Sequence, residues 1–275
     1  MIPQSPGGPP PVLLAPVLLA IETSGATCAA AILKTDGAIA ERSLDLDRGH
    51  ADRVVGLCTA LLSAEGLEWG ALTHIAVNRG PGSFAGLRAG IAAARGFALS
   101  LGVPALGVST FEAMLEGWNE LKHEETNAVL ALCDLRRGRL GAQLFVRGSG
   151  GGSLRMVGEP FMAAAEQLGA TLRAQGFDGD ALDLLIWDDP NGIRGSGDDH
   201  LDSRLDPAAA SLREVGVKAR FHAVPPSAAQ VARAARGAFE AGHLPPPEPL
   251  YLRPADAVPA SPPLALQAKS SEAVA

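Results

Sequence analysis

The stretch Ile75 to Leu99, IAVNRGPGSFAGLRAGIAAARGFAL, constrains the fold more than any other part of the chain. A short apolar run, Ile75 to Val77, breaks at Gly80-Pro81-Gly82-Ser83, and a small-residue pattern then keeps helical period to about Ser100. The sequence therefore predicts a strand, a glycine loop and a helix. Gly80 and Gly82 permit positive φ or close backbone approach, Pro81 fixes its own φ, and Ser83 is an N-cap residue. Such a loop leaves free N–H groups at a helix N-terminus, where an anion can sit. The Gly-Lys-Ser/Thr ending of a Walker loop is missing, and Gly80, Gly82 and Gly86 do not have dinucleotide spacing. A second reading gives Gly86, Gly90, Ala93 and Ala94 to a small face that packs the helix closely on a sheet; the two readings are compatible.

The chain has 275 residues, 47% of them hydrophobic, which suffices for two units of ordinary domain size. Its net charge of -7 gives no global basic footprint for unaided nucleic-acid binding and no polybasic membrane patch. If RNA is involved, the expectation is that a partner holds it. The three cysteines, Cys28, Cys58 and Cys133, are far apart and each lies in an apolar run. A disulfide framework or zinc site is not expected, and a reducing cytoplasm is. Val12 to Ile21 lacks a basic flank, contains Pro16 and is too short to span a bilayer, so neither export nor a membrane span is expected.

In chain order, strands are expected at 17–22, 28–33 and 39–46, joined by the turns Thr23-Ser24-Gly25 and Asp36-Gly37. A helix over 49–64 carries Val54, Leu57, Cys58, Leu61 and Leu62 on one side. The Ile75 strand, the glycine-loop helix and a strand at 103–108 complete a first half; a helix follows over 110–121. The order then restarts, with strands at 128–134, 139–147 and 154–162, a helix at 163–175, a strand at 181–187 and a polar loop at 188–206. A short helix around Leu212, a strand at 219–224 and a helix at 227–241 close it. The two halves read as degenerate copies of one plan.

Chemical candidates are few. No two of the six histidines are four apart, so a helical metal pair is not expected and the metal expectation is none. His50 reads as a helix cap, a surface residue or a partner contact. Ser83 and Ser109 lack a nucleophile elbow and read as caps. Glu22 and Asp134 end the first strand of each half, where a two-lobed nucleotide-cleft protein places carboxylates. The turn after Asp134 is Leu135-Arg136-Arg137-Gly138, bulky where a second phosphate turn needs glycine. Arg136, Arg137 and Arg139 read as a solvated turn or as a basic patch for an acidic partner.

LLAIETS at 18–24, Gly49-His50-Ala51, RGPGSFAGLRAGIAAARGFAL at 79–99, LGVSTFEAM at 106–114 and PLYLRPADA at 249–257 resemble the TsaB (YeaZ) family. The resemblance is dense in the first half and thin between 140 and 225. It implies an α/β, two-lobed actin/Hsp70-like (ASKHA, ribonuclease H-like) fold with two related β-β-β-α-β-α domains. It also implies a role in making the threonylcarbamoyl modification of tRNA adenosine beside the anticodon (t6A), as a non-catalytic paralogue of TsaD. The implied partners are a TsaD-type catalytic homologue and a TsaE-type ATPase; tRNA is expected to be met only indirectly, from the charge balance, and self-association of the free chain is left open. No cofactor is expected on this chain alone, ATP or ADP being confined to the complex interface. Mapped here, the contact surface is His50, Val54, Leu57, Cys58 and Leu61 with Arg88, Ile91 and Arg95; the same apolar residues also fit an inward stripe. The family's second-lobe turn commonly reads Asp-Ala-Arg-x-x-Glu-Val-Tyr, so Arg139 and Gly141 depart from it, and Glu22 stands where aspartate is usual.

The expected division is a Pro/Gly-rich leader at 1–16, lobes at 17–109 and 110–243, and a Pro-rich tail at 244–275 docked through Tyr251. The alternative function is a stand-alone ATP-dependent phosphotransferase or carbamoyl-type transferase working with Glu22, Asp134 and the glycine loop (Gly80, Pro81, Gly82, Ser83, Gly86). A metalloprotease-like hydrolase ranks third, against the histidine spacing.

Overall fold

The computed structural model describes residues 17–46, 48–121, 126–148, 152–187 and 205–252. The expected leader, most of the 188–206 loop, His123, His200, Arg253 and everything beyond lie outside the described residues.

Strands β1 (Leu18–Glu22), β2 (Thr27–Leu33), β3 (Ile39–Asp45), β4 (His74–Gly80) and β5 (Ala105–Ser109) form one sheet in the order β3-β2-β1-β4-β5. β1 pairs antiparallel with β2 and parallel with β4. Strands β6 (Ala128–Asp134), β7 (Arg139–Arg147), β8 (Leu154–Ala164), β9 (Ala181–Ile186) and β10 (Lys218–Ala223) form the second, β8-β7-β6-β9-β10. The pairing senses repeat as well: β6 is antiparallel to β7 and parallel to β9. The duplication read from element order is therefore a duplication of topology. The strand ends expected at 103 and 187 fall at 105 and 186 instead, and the helix expected from 163 begins as a single 3-10 turn at 165–167.

Helices α1 (His50–Ala64) and α2 (Phe84–Leu101) cover one face of the first sheet. The inward stripe of α1 (Val54, Leu57, Cys58, Leu61, Leu62), with Ile91, Ala94 and Ala98 of α2, packs on Leu19, Ile21, Ala30 and Ile32. Ser83 caps α2, its Oγ accepting from Gly86 N, and Gly102 closes it in a left-handed conformation. In the second lobe α4 (Leu168–Ala174) and α5 (Asp206–Glu214) do the equivalent, placing Leu168, Leu172, Ala208 and Leu212 on Leu130, Leu184 and Ile186.

The last helix of each half crosses over. α3 (Thr110–Glu120) puts Phe111, Met114 and Trp118 on Val129, Ala131 and Leu185 of the second sheet. α6 (Ala228–Glu240), which chain order groups with the second half, lays Ala228, Val231, Ala232 and Ala235 on Leu18, Ala20, Ala29 and Ala31 of the first. Small residues on both sides let helix and sheet approach closely. Both helices begin in a capping box, Ser109 with Glu112 and Ser227 with Gln230. The exchanged pair fills the layer between the lobes.

The chain then returns across the first lobe. Gly107 N donates to Pro245 O and Leu250 N to Arg79 O, while Leu252 packs into the second lobe's apolar cluster. Residues 245–252 thus contact both lobes.

Candidate functional site

Alternation along β1 and β4 sends Glu22 and Asn78 to the inter-lobe face, at the C-terminal ends of neighbouring parallel strands. Glu22 is buried and hydrogen-bonded there. Its Oε1 accepts from Ser24 N and Ser24 Oγ, both at 2.5 Å, and its Oε2 accepts from Asn78 Nδ2 at 2.5 Å. Asn78 Oδ1 in turn accepts from Gly80 N at 2.8 Å, and the Thr110 hydroxyl donates to Pro81 O at 2.6 Å. The turn after β1, the glycine loop and the start of α3 are therefore one network. Burial pushes the Glu22 carboxyl above its ordinary range, against the lowering effect of the Ser24 and Asn78 hydrogen bonds.

The glycine loop meets protein. Ser83 N donates to Ser24 O at 2.6 Å, and a Cβ on Gly82 would lie 2.6 Å from that same carbonyl. A Cβ on Gly86 would lie 2.1 Å from Thr23 O, and one on Gly90 2.3 Å from Thr23 Oγ1. The close-packing reading of these glycines is the one the geometry shows. On the cleft side the occupant is Trp187, just beyond β9: a Cβ on Gly25 would lie 2.8 Å from its indole and one on Gly82 3.1 Å. A small cleft between Glu22, Thr27, Trp187 and Pro225 leaves about 50 Å³, space for a few water molecules.

Asp134 ends β6 at the position equivalent to Glu22, but half-buried, and its Oδ1 accepts from Arg136 N at 2.6 Å. Arg136, Arg137 and Gly138 all have left-handed φ, 66°, 56° and 69°, which costs the two arginines on the order of 1 kcal/mol each. The turn presents Arg136, Arg137 and Arg139 as exposed side chains. Gly141 makes room for the tail: a Cβ there would lie 2.9 Å from Leu252 Cδ1 and 2.8 Å from Cys133 Sγ.

The expected partner surface needs correction. Val54, Leu57, Cys58, Leu61 and Ile91 are core residues, at most 7% exposed, and His50 is buried with its Nε2 unpartnered. Helical period identifies an apolar stripe; the sheet beneath α1 decides that this stripe faces inward. The residues that α1 and α2 show to solvent include Val55, Gly56, Thr59, Ala60, Ala92, Gly96 and Leu99, with Arg88 and Arg95 of the expected set. Arg95 lies 3.9 Å from Glu248.

A second polar cluster was missed. Asp183, fully buried on β9, accepts from Arg220 Nε at 2.7 Å and Arg220 Nη2 at 2.8 Å, lies 3.1 Å from His222 Nε2, and takes a short bond from Thr126 Oγ1. Burial raises its carboxyl, but the bonds from Arg220, Thr126 and His222 outweigh it and hold the group below the usual carboxylate range. An aspartate inside the apolar strand ALDLLI was the available signal. Burial pushes the Cys28 thiol up to about 11 and Cys58 to about 12, so both are inert at neutral pH. Among the described residues no three of His, Cys, Asp and Glu converge as a metal site requires, and no helix is long and apolar enough to cross a membrane.

Two sheets of one topology, facing each other across a layer of exchanged helices, define the two-lobed actin-like class of α/β proteins. Among solved structures the chain is similar to YeaZ from Pseudomonas aeruginosa, with a TM-score of 0.64 at 22% identity, covering 86% of this chain and 100% of that one. A second Pseudomonas aeruginosa structure, described as similar to peptidase YEAZ, gives 0.65 at 22% identity and the same coverage. Residues 44–181 match the family described as TsaD, tRNA N6-adenosine threonylcarbamoyltransferase. Escherichia coli tRNA threonylcarbamoyladenosine biosynthesis protein TsaB is 35% identical over 124 residues, 45% of this chain and 52% of that protein. The Bacillus subtilis protein of the same name is 31% identical over 128 residues, 46% and 54%. The chain belongs to the TsaD family, and the Escherichia coli and Bacillus subtilis relatives it matches are named TsaB. It spans about half the length of the curated relatives it matches.

Proposed function

We propose that this chain is a non-catalytic subunit of t6A biosynthesis that pairs with a TsaD-type transferase. The observation that carries the reading is the state of the cleft: Trp187 lies against Gly25 and Gly82, and both oxygens of Glu22 are used by Ser24 and Asn78. Three of the hydrogen bonds that the Glu22 carboxylate can accept are made inside the fold, to Ser24 N, Ser24 Oγ and Asn78 Nδ2, which supports a structural role for it. The names of the Escherichia coli and Bacillus subtilis relatives support the pathway. The outer face of α1 and α2, with Val55, Gly56, Ala60, Ala92, Gly96 and Leu99, supports the pairing: small residues flanking exposed Val55 and Leu99 let another helix pair approach closely. ATP or ADP at that interface, and a TsaE-type ATPase in the assembly, remain parts of the same proposal.

Size-exclusion chromatography with light scattering, on the chain mixed with its host's TsaD-type protein, tests it. The expected result is a stable complex that Val55→Glu and Leu99→Glu abolish while leaving the melting temperature of the free chain unchanged. ATP turnover by the chain alone, with no complex formed, overturns the reading.

A further inference from the structure

The N-terminal turn of α2 carries two aromatic rings in the open. Phe84 is 53% exposed and Tyr251 48%, with ring centroids 5.6 Å apart. Arg88 is layered on them, its guanidinium 3.8 Å from the Phe84 centroid and its Nε donating to the Tyr251 hydroxyl at 3.4 Å. Phe84, Arg88 and Tyr251 thus form an exposed stack held in place by the tail. The residue after Tyr251 leads to the other lobe. Leu252 packs beside Gly141 and Leu135, and Leu135 opens the turn that exposes Arg136, Arg137 and Arg139. Consecutive residues 251 and 252 thus link the exposed stack on the first lobe to the arginine-bearing turn on the second. Asp134 Oδ1 accepts from Arg136 N at 2.6 Å, and Glu248 lies 3.9 Å from Arg95.

We infer that this surface binds single-stranded RNA, its unpaired bases extending the Phe84–Arg88–Tyr251 stack and its phosphates meeting Arg136 and Arg139. The inference rests on the t6A reading and names the substrate contact within it. Unpaired bases stack on exposed rings and on guanidinium planes, whereas the bases of a duplex are already stacked and out of reach. Guanidinium forks match phosphate geometry, and an otherwise acidic chain of net charge -7 concentrates them at this one turn. An acidic peptide would use the arginines alone and leave the rings without a role. The expectation that tRNA is met only indirectly rested on net charge, which averages over the molecule and hides a local patch.

The test is fluorescence anisotropy of the full chain with a labelled RNA stem-loop, the same stem closed into uninterrupted duplex, and polyglutamate as competitor. The stem-loop is expected to bind better than the duplex. Phe84→Ala and Tyr251→Ala weaken it about tenfold, and Tyr251→Phe, which keeps the ring, retains most of the affinity. Arg136→Gln and Arg139→Gln each lower the slope of log affinity against log salt by about 0.7. Thermal melts confirm that the variants are folded. No stem-loop binding at low salt, equal binding of the duplex, alanine variants that bind like the parent, or displacement by polyglutamate overturns the inference, the last in favour of an acidic protein partner. The same samples are mixed with the TsaD-type protein: an intact complex with indifferent RNA binding overturns only this inference, while failure of the parent chain to form the complex overturns the functional reading.

Discussion

Asn78 donates to Glu22 across the parallel pair β1 and β4 at 2.5 Å, which ties the end of the first strand to the strand that launches the glycine loop. A carboxylate position that superficially suits catalysis is thereby a structural junction. Asn78→Ala is expected to cost about 1–3 kcal/mol, since Glu22 loses one of its donors while staying buried. Urea denaturation of the two proteins measures the difference.

The raised pKa of Glu22 carries a sign. The folded state holds this proton more tightly than the unfolded chain, so Glu22 favours folding at low pH, and that contribution is lost as pH rises through its folded pKa. Compared with Glu22→Gln, the parent protein should lose stability as pH is raised through this range. Melting temperatures of the pair across pH check it, and parallel curves would reject the assignment.

Asp183 behaves oppositely. Its pKa is depressed, so its stabilisation is present above the ordinary carboxylate value and disappears as pH falls through the folded one. Asp183→Asn should remove that acid-side loss and destabilise the protein by about 2–3 kcal/mol at neutral pH, because Arg220 and His222 lose a charged acceptor. The observable is the difference in unfolding free energy between the two proteins at neutral and at acid pH.

Glycines on α2 divide by what faces them. Gly86→Ala and Gly90→Ala push a methyl group against Thr23 and should cost about 2 kcal/mol or more through displacement of the helix. Gly96→Ala meets open space within the same helix and should stabilise by about 0.5–1 kcal/mol. Calorimetric melts of the three variants separate the cases.

Val54 and Val55 are neighbours on α1 with opposite fates, 2% and 49% exposed. Val54→Glu buries an unpaired charge against the first sheet and should cost more than about 3 kcal/mol, while Val55→Glu should leave the fold intact. Circular dichroism melts distinguish them, and only Val55→Glu is informative about partner binding.

Every strand and α-helix among the described residues was legible in the sequence to within a few positions, because each rests on local signals, whereas the 3-10 turn at Trp69–Ala71 was not. Ser83, Ser109 and Ser227 cap helices where the chain places them before an apolar period, and Asp36-Gly37 turns where it is written. The resemblance supplied the family, since the glycine-loop segment is long and local. Residue roles were less legible. Asn78 and Thr110 lie inside quoted motifs and Asp183 and Trp187 in none, but the role of each was hidden because each acts on a residue tens of positions away.

The sequence by itself determined the two β-β-β-α-β-α halves, their order and the glycine loop, since periodicity, caps and turns are properties of neighbouring residues. Only the tertiary structure decided which faces those elements show. It turned Val54, Leu57 and Ile91 inward, exchanged α3 and α6 between the sheets, closed the cleft with Trp187, and joined Tyr251 to Arg88 across the molecule. An amphipathic helix specifies that it has a buried side, and burial is a relation between surfaces distant in sequence, settled only when the whole chain packs.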